Sequence, residues 1–157
     1  MIKEKYVNFE IAKLLKEKGF KEWCRCCYGT AVLHNGKDIS FYEECDLKDE
    51  GRGNEIEYVE GGAFHYLNCN NGDEDTNVWA APTIQTVVDW LLEAHHYYIQ
   101  VMLDSWAYNG RLGYYGLIIK TDSNFDLMLQ DVCDKVFYDK PEDVYIDAIK
   151  YILENLI

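Results

Sequence analysis

The sequence predicts an α+β fold, and three observations carry that reading. Three segments, near the start, middle and end of the chain, place apolar residues at helical spacing between start and stop signals. Between them lie short stretches rich in Tyr and β-branched residues, punctuated by Asn-Gly and Gly-rich turns. The chain has 157 residues, 48% of them apolar, enough for one domain with a real core. The order helix, strands, helix, strands, helix, written α-ββ(β)-α-ββ(β)-α, points to an antiparallel sheet of about four to six strands with three helices packed on it. The expected organisation is a single α+β domain over 1–157, with an acidic, loop-rich segment at 46–77.

The first helix begins at Asn8, whose side chain can accept a hydrogen bond from the first turn. Phe9, Ala12 and Leu15, with the neighbouring Ile11, form its apolar stripe. Lys16 and Lys18 lie where the helix dipole favours cations. Gly19 can take the left-handed conformation that stops the helix, and Phe20 can pack back on the last turn. Residues 27–34 and 38–45 then flank Asn35-Gly36, a dipeptide suited to a type I′ hairpin turn. Residues 46–54 and 70–77 read as charged loops, and 55–69 as one or two short strands broken by Gly61-Gly62.

Thr83 is the expected cap of the second helix, with Ile84, Val87, Val88, Leu91 and Leu92 along one face. His95 and His96 fall at its end. In 97–106, Ile99, Val101 and Leu103 alternate with Gln100, Met102 and Asp104. Residues 112–120 follow across a loop containing Asn109-Gly110. Residues 122–138 have a less regular pattern, and 132–138 could add an edge strand. Pro141 suits the first position of the last helix, and Asp139 and Glu142 have capping-box spacing. Tyr145, Ala148, Ile149, Ile152, Leu153 and Leu156 complete its apolar stripe.

Charge narrows the partner classes. With 15 Lys and Arg against 28 Asp and Glu, the formal net charge is −13. Phosphate binding depends on cationic side chains, so direct binding to nucleic acid is not expected, nor is an anionic membrane surface. Residues 1–25 carry +3, 38–75 carry −10 and 76–157 carry −7, so the acidity is densest in the middle. Glu4, Asn8 and Glu10 interrupt any secretory-type apolar stretch at the start. No run approaches the ~18 apolar residues of a membrane helix. A cytoplasmic location and free thiols at the six cysteines are the corresponding expectations.

The blocks KYVNFEIAKLLKEKGF (5–20), APTIQTVVDWLLE (81–93) and PEDVYIDAIKYILENLI (141–157) carry a resemblance. In them the chain resembles a group of small uncharacterised proteins of Bacteroides-type gut bacteria, their phages and mobile elements. The resemblance implies an origin and an intact fold. It brings no activity and no functional residues, and its blocks coincide with the three core helices.

Candidate sites start with Cys24, Cys26 and Cys27, followed later by Cys45, His65 and Cys69. Four such ligands converging tetrahedrally would make a zinc site, but C-x-C-C with scattered partners is not the usual pair of spaced ligand pairs. No Cys and His stand out as nucleophile and base, so no catalytic residue is assigned and no cofactor is expected. His95 and His96 suit a helix end as well as a metal. The acidic runs at 46–50 and 73–75 lack the ordered calcium-loop pattern, and the glycines open no phosphate loop into a helix.

Thirteen Tyr and four Trp are many for this length. Trp90 lies off its helix stripe and Trp106 on the polar register of its strand. With Tyr108 and Tyr114 they form a candidate interaction surface. The leading expectation is a non-enzymatic, cytoplasmic accessory or protein-interaction domain of phage or mobile-element origin, with a basic protein among its suitable partners. The alternatives are a DNA-mimic-type inhibitor of host defence and a small Cys/His-dependent enzyme or zinc-binding protein. A homodimer formed through an exposed edge strand near 132–138 is a further option.

Overall fold

A computed structural model of the chain describes residues 5–22, 24–30, 39–43, 55–60, 63–68, 71, 78–104, 112–135 and 137–157. Its contacts group into two compact units, Met1–Pro82 and Thr83–Ile157. The α+β class holds, with three helices and antiparallel strand pairs among the described residues. The strands do not share one sheet, however. Among the described residues they divide into sheets of three, two and three. Sequence periodicity marks a strand without choosing its neighbour, and the choice of neighbour decides the number of sheets.

The first unit opens with α1 (Phe9–Glu17). The Asn8 Oδ1 accepts the Ile11 N–H at 3.0 Å, as the sequence predicts. At the other end Gly19 has φ 80°, the Phe20 N–H reaches the Leu15 carbonyl at 2.9 Å, and the Gly19 N–H reaches Lys16 at 3.2 Å. That is a Schellman termination, and Phe20 is fully buried behind it with Ile11, Ala12 and Leu15.

Strand β1 (Cys26–Thr30) runs between β2 (Ile39–Glu43) and a strand reached much later in the chain. The intervening hairpin, β3 (Glu55–Glu60) and β4 (Ala63–Asn68), leaves two residues, Gly61-Gly62, between its paired ends. The late strand is β5 (Val78–Ala80), on which α1 packs. Phe9 meets Tyr28 and Trp79 edge-on, with ring centroids 5.5 and 5.1 Å away. The Val7 N–H donates to the Pro82 carbonyl at 3.1 Å, closing the unit end to end.

The β1–β2 ladder is antiparallel and pairs Thr30 with Ile39 and Cys26 with Glu43. Asn35 and Gly36 lie outside the described residues.

The second unit begins with α2 (Ile84–His95). Thr83 caps it by accepting the Thr86 N–H at 3.2 Å, and His96 ends it in the left-handed region at φ 63°. The N–H of His96 bonds to the carbonyls of Leu91 and Leu92. Strands β6 (Tyr97–Asp104), β7 (Gly113–Lys120) and β8 (Phe125–Met128) follow as a meander with β7 central. A 3-10 turn (Leu129–Asp131) and α3 (Pro141–Asn155) complete the unit.

Two expectations are corrected here. The outer strand beside β7 is Phe125–Met128, while from 132–138 Tyr138 contributes an isolated bridge to Tyr114. The capping box at Asp139 does not form, because Pro141 sets the helix start and makes its extended predecessor, Lys140, the cap, without a side-chain bond. Glu142 and Asp143 still place negative charge in the first turn, where the dipole favours it.

Helices α2 and α3 contact each other and the same side of the sheet. Tyr97, Ile99 and Ile118 are buried on that side, with Val87, Leu91, Val144, Ala148, Ile149, Ile152 and Leu153. Gly116, in the middle of β7, faces α3 with no side chain between. A Cβ there would stand 2.6 Å from Val144 Cγ1 and 3.2 Å from Leu129 Cδ2. Gly116→Ala is therefore expected to cost about 1–3 kcal/mol in urea unfolding. The cost should exceed that of Gly113→Ala, whose new methyl would meet Phe137 Cβ at 3.1 Å.

Candidate functional site

The predicted cysteine site does not assemble from its first members. Cys26 and Cys27 are both fully buried and adjacent on β1, so their side chains leave opposite faces of the sheet. They cannot turn toward one ion. Cys24 is buried just before the strand, its thiol directed at the Glu22 carbonyl at 3.5 Å. The backbone of His65 lies in β4, in the separate two-stranded sheet. Cys45 and Cys69 lie outside the described residues. Among the described residues no three His, Cys, Asp or Glu gather as a metal-binding group.

Two of the four aromatic candidates, Trp90 and Tyr114, fall within the described residues. Trp90 is half-buried on α2 and meets His95 edge-to-face, with centroids 4.5 Å apart. Burial, and secondarily the charge of His96, lowers the His95 pKa, which favours the neutral ring that packs on Trp90. Tyr114 is half-buried on the helix-facing side of β7, its backbone paired with Tyr138. Trp106 and Tyr108, and the acidic runs at 46–50 and 73–75, lie outside the described residues.

Sheet parity reveals a surface that the aromatic count missed. Strand residues alternate between faces, and Tyr97, Ile99, Gly116 and Ile118 point toward the helices. Their neighbours Tyr98, Met102, Tyr115, Leu117, Ile119 and Met128 therefore share the opposite face. The register sets Tyr98 beside Ile119, Met102 beside Tyr115, and Leu117 beside Met128. Tyr98 is exposed and the other five are half-buried. Gln100 lies in the middle, with Asp104 and Asp126 at the borders. A sheet face with helices on its other side usually alternates to polar residues. This one is apolar across all three strands. The signal was present in the sequence as Tyr98, Met102, Leu117 and Ile119, but only the pairing of strands places these residues together.

A second cluster lies where the segment after the 3-10 turn meets α3. A groove of about 510 Å³ is lined there by Cys133, Lys135, Asp147 and Tyr151 among others. Lys135 Nζ bonds to Asp147 Oδ2 at 3.1 Å and sits 5.3 Å from the centre of the Tyr138 ring. Burial, then the carboxylate of Asp147, pushes up the pKa of both the Cys133 thiol and the Tyr138 phenol. Both therefore stay protonated near neutrality, and the ammonium and carboxylate neutralise each other. Neither the thiol nor the phenol is ionised there, so neither is an activated nucleophile. The cluster serves to fasten the 132–138 segment to α3.

No protein-family model, curated protein or solved structure matches the chain.

The Tyr138 hydroxyl is buried beside Asp147 and Cys133. Burial and the neighbouring carboxylate offset what the hydroxyl gains there, so Tyr138→Phe is expected to change urea stability at pH 7 by no more than about 1 kcal/mol. A raised phenol pKa contributes stability that is present below the unfolded value, about 10, and lost as pH climbs above it. The wild-type chain should thus lose stability above pH ~10 more steeply than the Tyr138→Phe chain.

Proposed function

We infer that the chain is a non-enzymatic accessory module that binds another protein through the face of β6–β7–β8 opposite α2 and α3. The observation that carries this reading is the run of apolar side chains across that face. Contiguous apolar surface bordered by polar residues is characteristic of protein contact sites. Tyr and Met suit such a site, because Tyr combines a large apolar area with a polar tip and Met adapts its shape to a partner.

The charge defines the partner further. Asp104 and Asp126 border the face, and the chain carries −13 overall. A partner with an apolar ridge set among basic residues would be drawn in by the field and held by burial. The phage or mobile-element character suggested by the three helical blocks places that partner in a Bacteroides-type host cell, in the cytoplasm. No long apolar helix among the described residues would span a membrane.

Quantitative capture from host lysate tests this, comparing wild type with Tyr115→Lys and Met128→Lys. Each lysine puts a cation on the face and should reduce recovery of a basic partner by about tenfold or more. Thermal unfolding of each variant should show the fold retained. Equal recovery on a folded variant, or no specific recovery by wild type, would sink the reading.

A further inference from the structure

Strand β6 is an edge of its sheet, with β7 on one side and no described strand on the other. The phase of its hydrogen bonds follows from one contact. The Thr121 N–H donates to the His96 carbonyl at 2.8 Å, continuing the β6–β7 ladder by one pair. Backbone groups therefore point at β7 from even-numbered residues. Those of Tyr97, Ile99, Val101 and Leu103 point outward. Among the described residues no backbone hydrogen bond reaches these outward groups.

The strand itself carries none of the bulges, prolines or lysines that usually keep an edge from pairing. β6 spans eight residues in unbroken register with β7, so it carries no bulge. It contains no proline and no lysine, and its one charged residue is Asp104 at the end. Leu103 is 55% exposed on the helix-facing side of this edge. A long, apolar edge without a bulge is a template for another strand.

We propose that this edge pairs antiparallel with the same edge of a second copy of the chain, forming a twofold dimer with a continuous six-stranded sheet. The edge is complementary to itself in one register. Placing Gln100 on the axis sets Ile99 against Val101 of the second copy, and Tyr97 against Leu103. All four outward residues of each strand are then used, for about eight interstrand hydrogen bonds. The exposed Leu103 is covered by Tyr97 of the copy, and Tyr98 meets Met102 on the opposite face. Asp104 comes opposite His96 of the copy, so no two carboxylates face each other. A strand from an unrelated protein would satisfy the backbone, but the self-pairing also covers Leu103. This inference stands on the edge of β6 and is independent of what the apolar face binds.

Sedimentation of the full chain between about 1 and 100 µM is the direct test. The expected species has twice the 18.4 kDa chain mass. Val101→Pro removes an outward N–H without touching the β6–β7 ladder and should give a folded monomer. Leu103→Lys, at an exposed position, should do the same and serves if the proline variant fails to fold. Register is read separately. Non-hydrogen-bonded pairs bring Cα atoms to about 4.5 Å, within disulfide range. Gln100→Cys should therefore cross-link to its own copy under oxidation, shown by a peptide joined to itself through position 100, while Tyr98→Cys should not. A wild-type monomer at the highest concentration, a dimer that persists in the folded Leu103→Lys chain, or failure of Gln100→Cys to cross-link would overturn the proposal.

Discussion

The carboxy-terminal unit depends on how closely α3 can approach the middle of β7. Gly116 removes the one side chain that would hold the helix off, and Val144 fills the space. Once α3 is seated, Ile149, Ile152 and Leu153 are sealed together with Ile99 and Ile118, and α2 closes the layer from the side. Interiors packed at this density cannot yield by a methyl group without loss, so one glycine governs the position of the whole helical layer. The same placement commits every inward side chain of the sheet to one face. The alternate side chains are left on the other, and the apolar surface there follows from the helix packing.

Where structure answers to neighbours a few residues apart, the sequence was readable. Asn8, Gly19 and Thr83 sit at the helix ends they were expected to occupy, because a cap is a contact across three or four residues. Asp139 was misplaced by a single position, since Pro141 dictates the helix start more strictly than a carboxylate does. Partner choice among strands was not readable. β1 pairs with β5 some fifty residues later, and nothing in VWA announces that neighbour. The outer strand was sought at 132–138 because Val and Phe favour strands there, yet Phe125–Met128 follows a short turn and pairs first.

The candidate site was legible to the same limited degree. Counting Trp and Tyr drew attention to Trp90 and Tyr114, both half-buried in the second unit. The apolar face joins residues from three strands, so it exists only in a given register. The cysteine run shows the converse. Its close spacing in sequence suggested convergence, but adjacent strand positions diverge, and Cys26 and Cys27 line opposite sides of β1.

The hydrogen bond from Val7 to Pro82, with Phe9 set against Trp79, gives the amino-terminal unit a closing contact between its two ends. β5 lies about sixty residues after α1, so during synthesis α1 is complete well before the strand it packs on. The stretch between them is not a free loop, since β1, β2, β3 and β4 form within it and β1 pairs with β5. The contact between the two ends therefore joins paired strands as well as a helix, and added length costs least in the connections between those strands, where it enters only logarithmically.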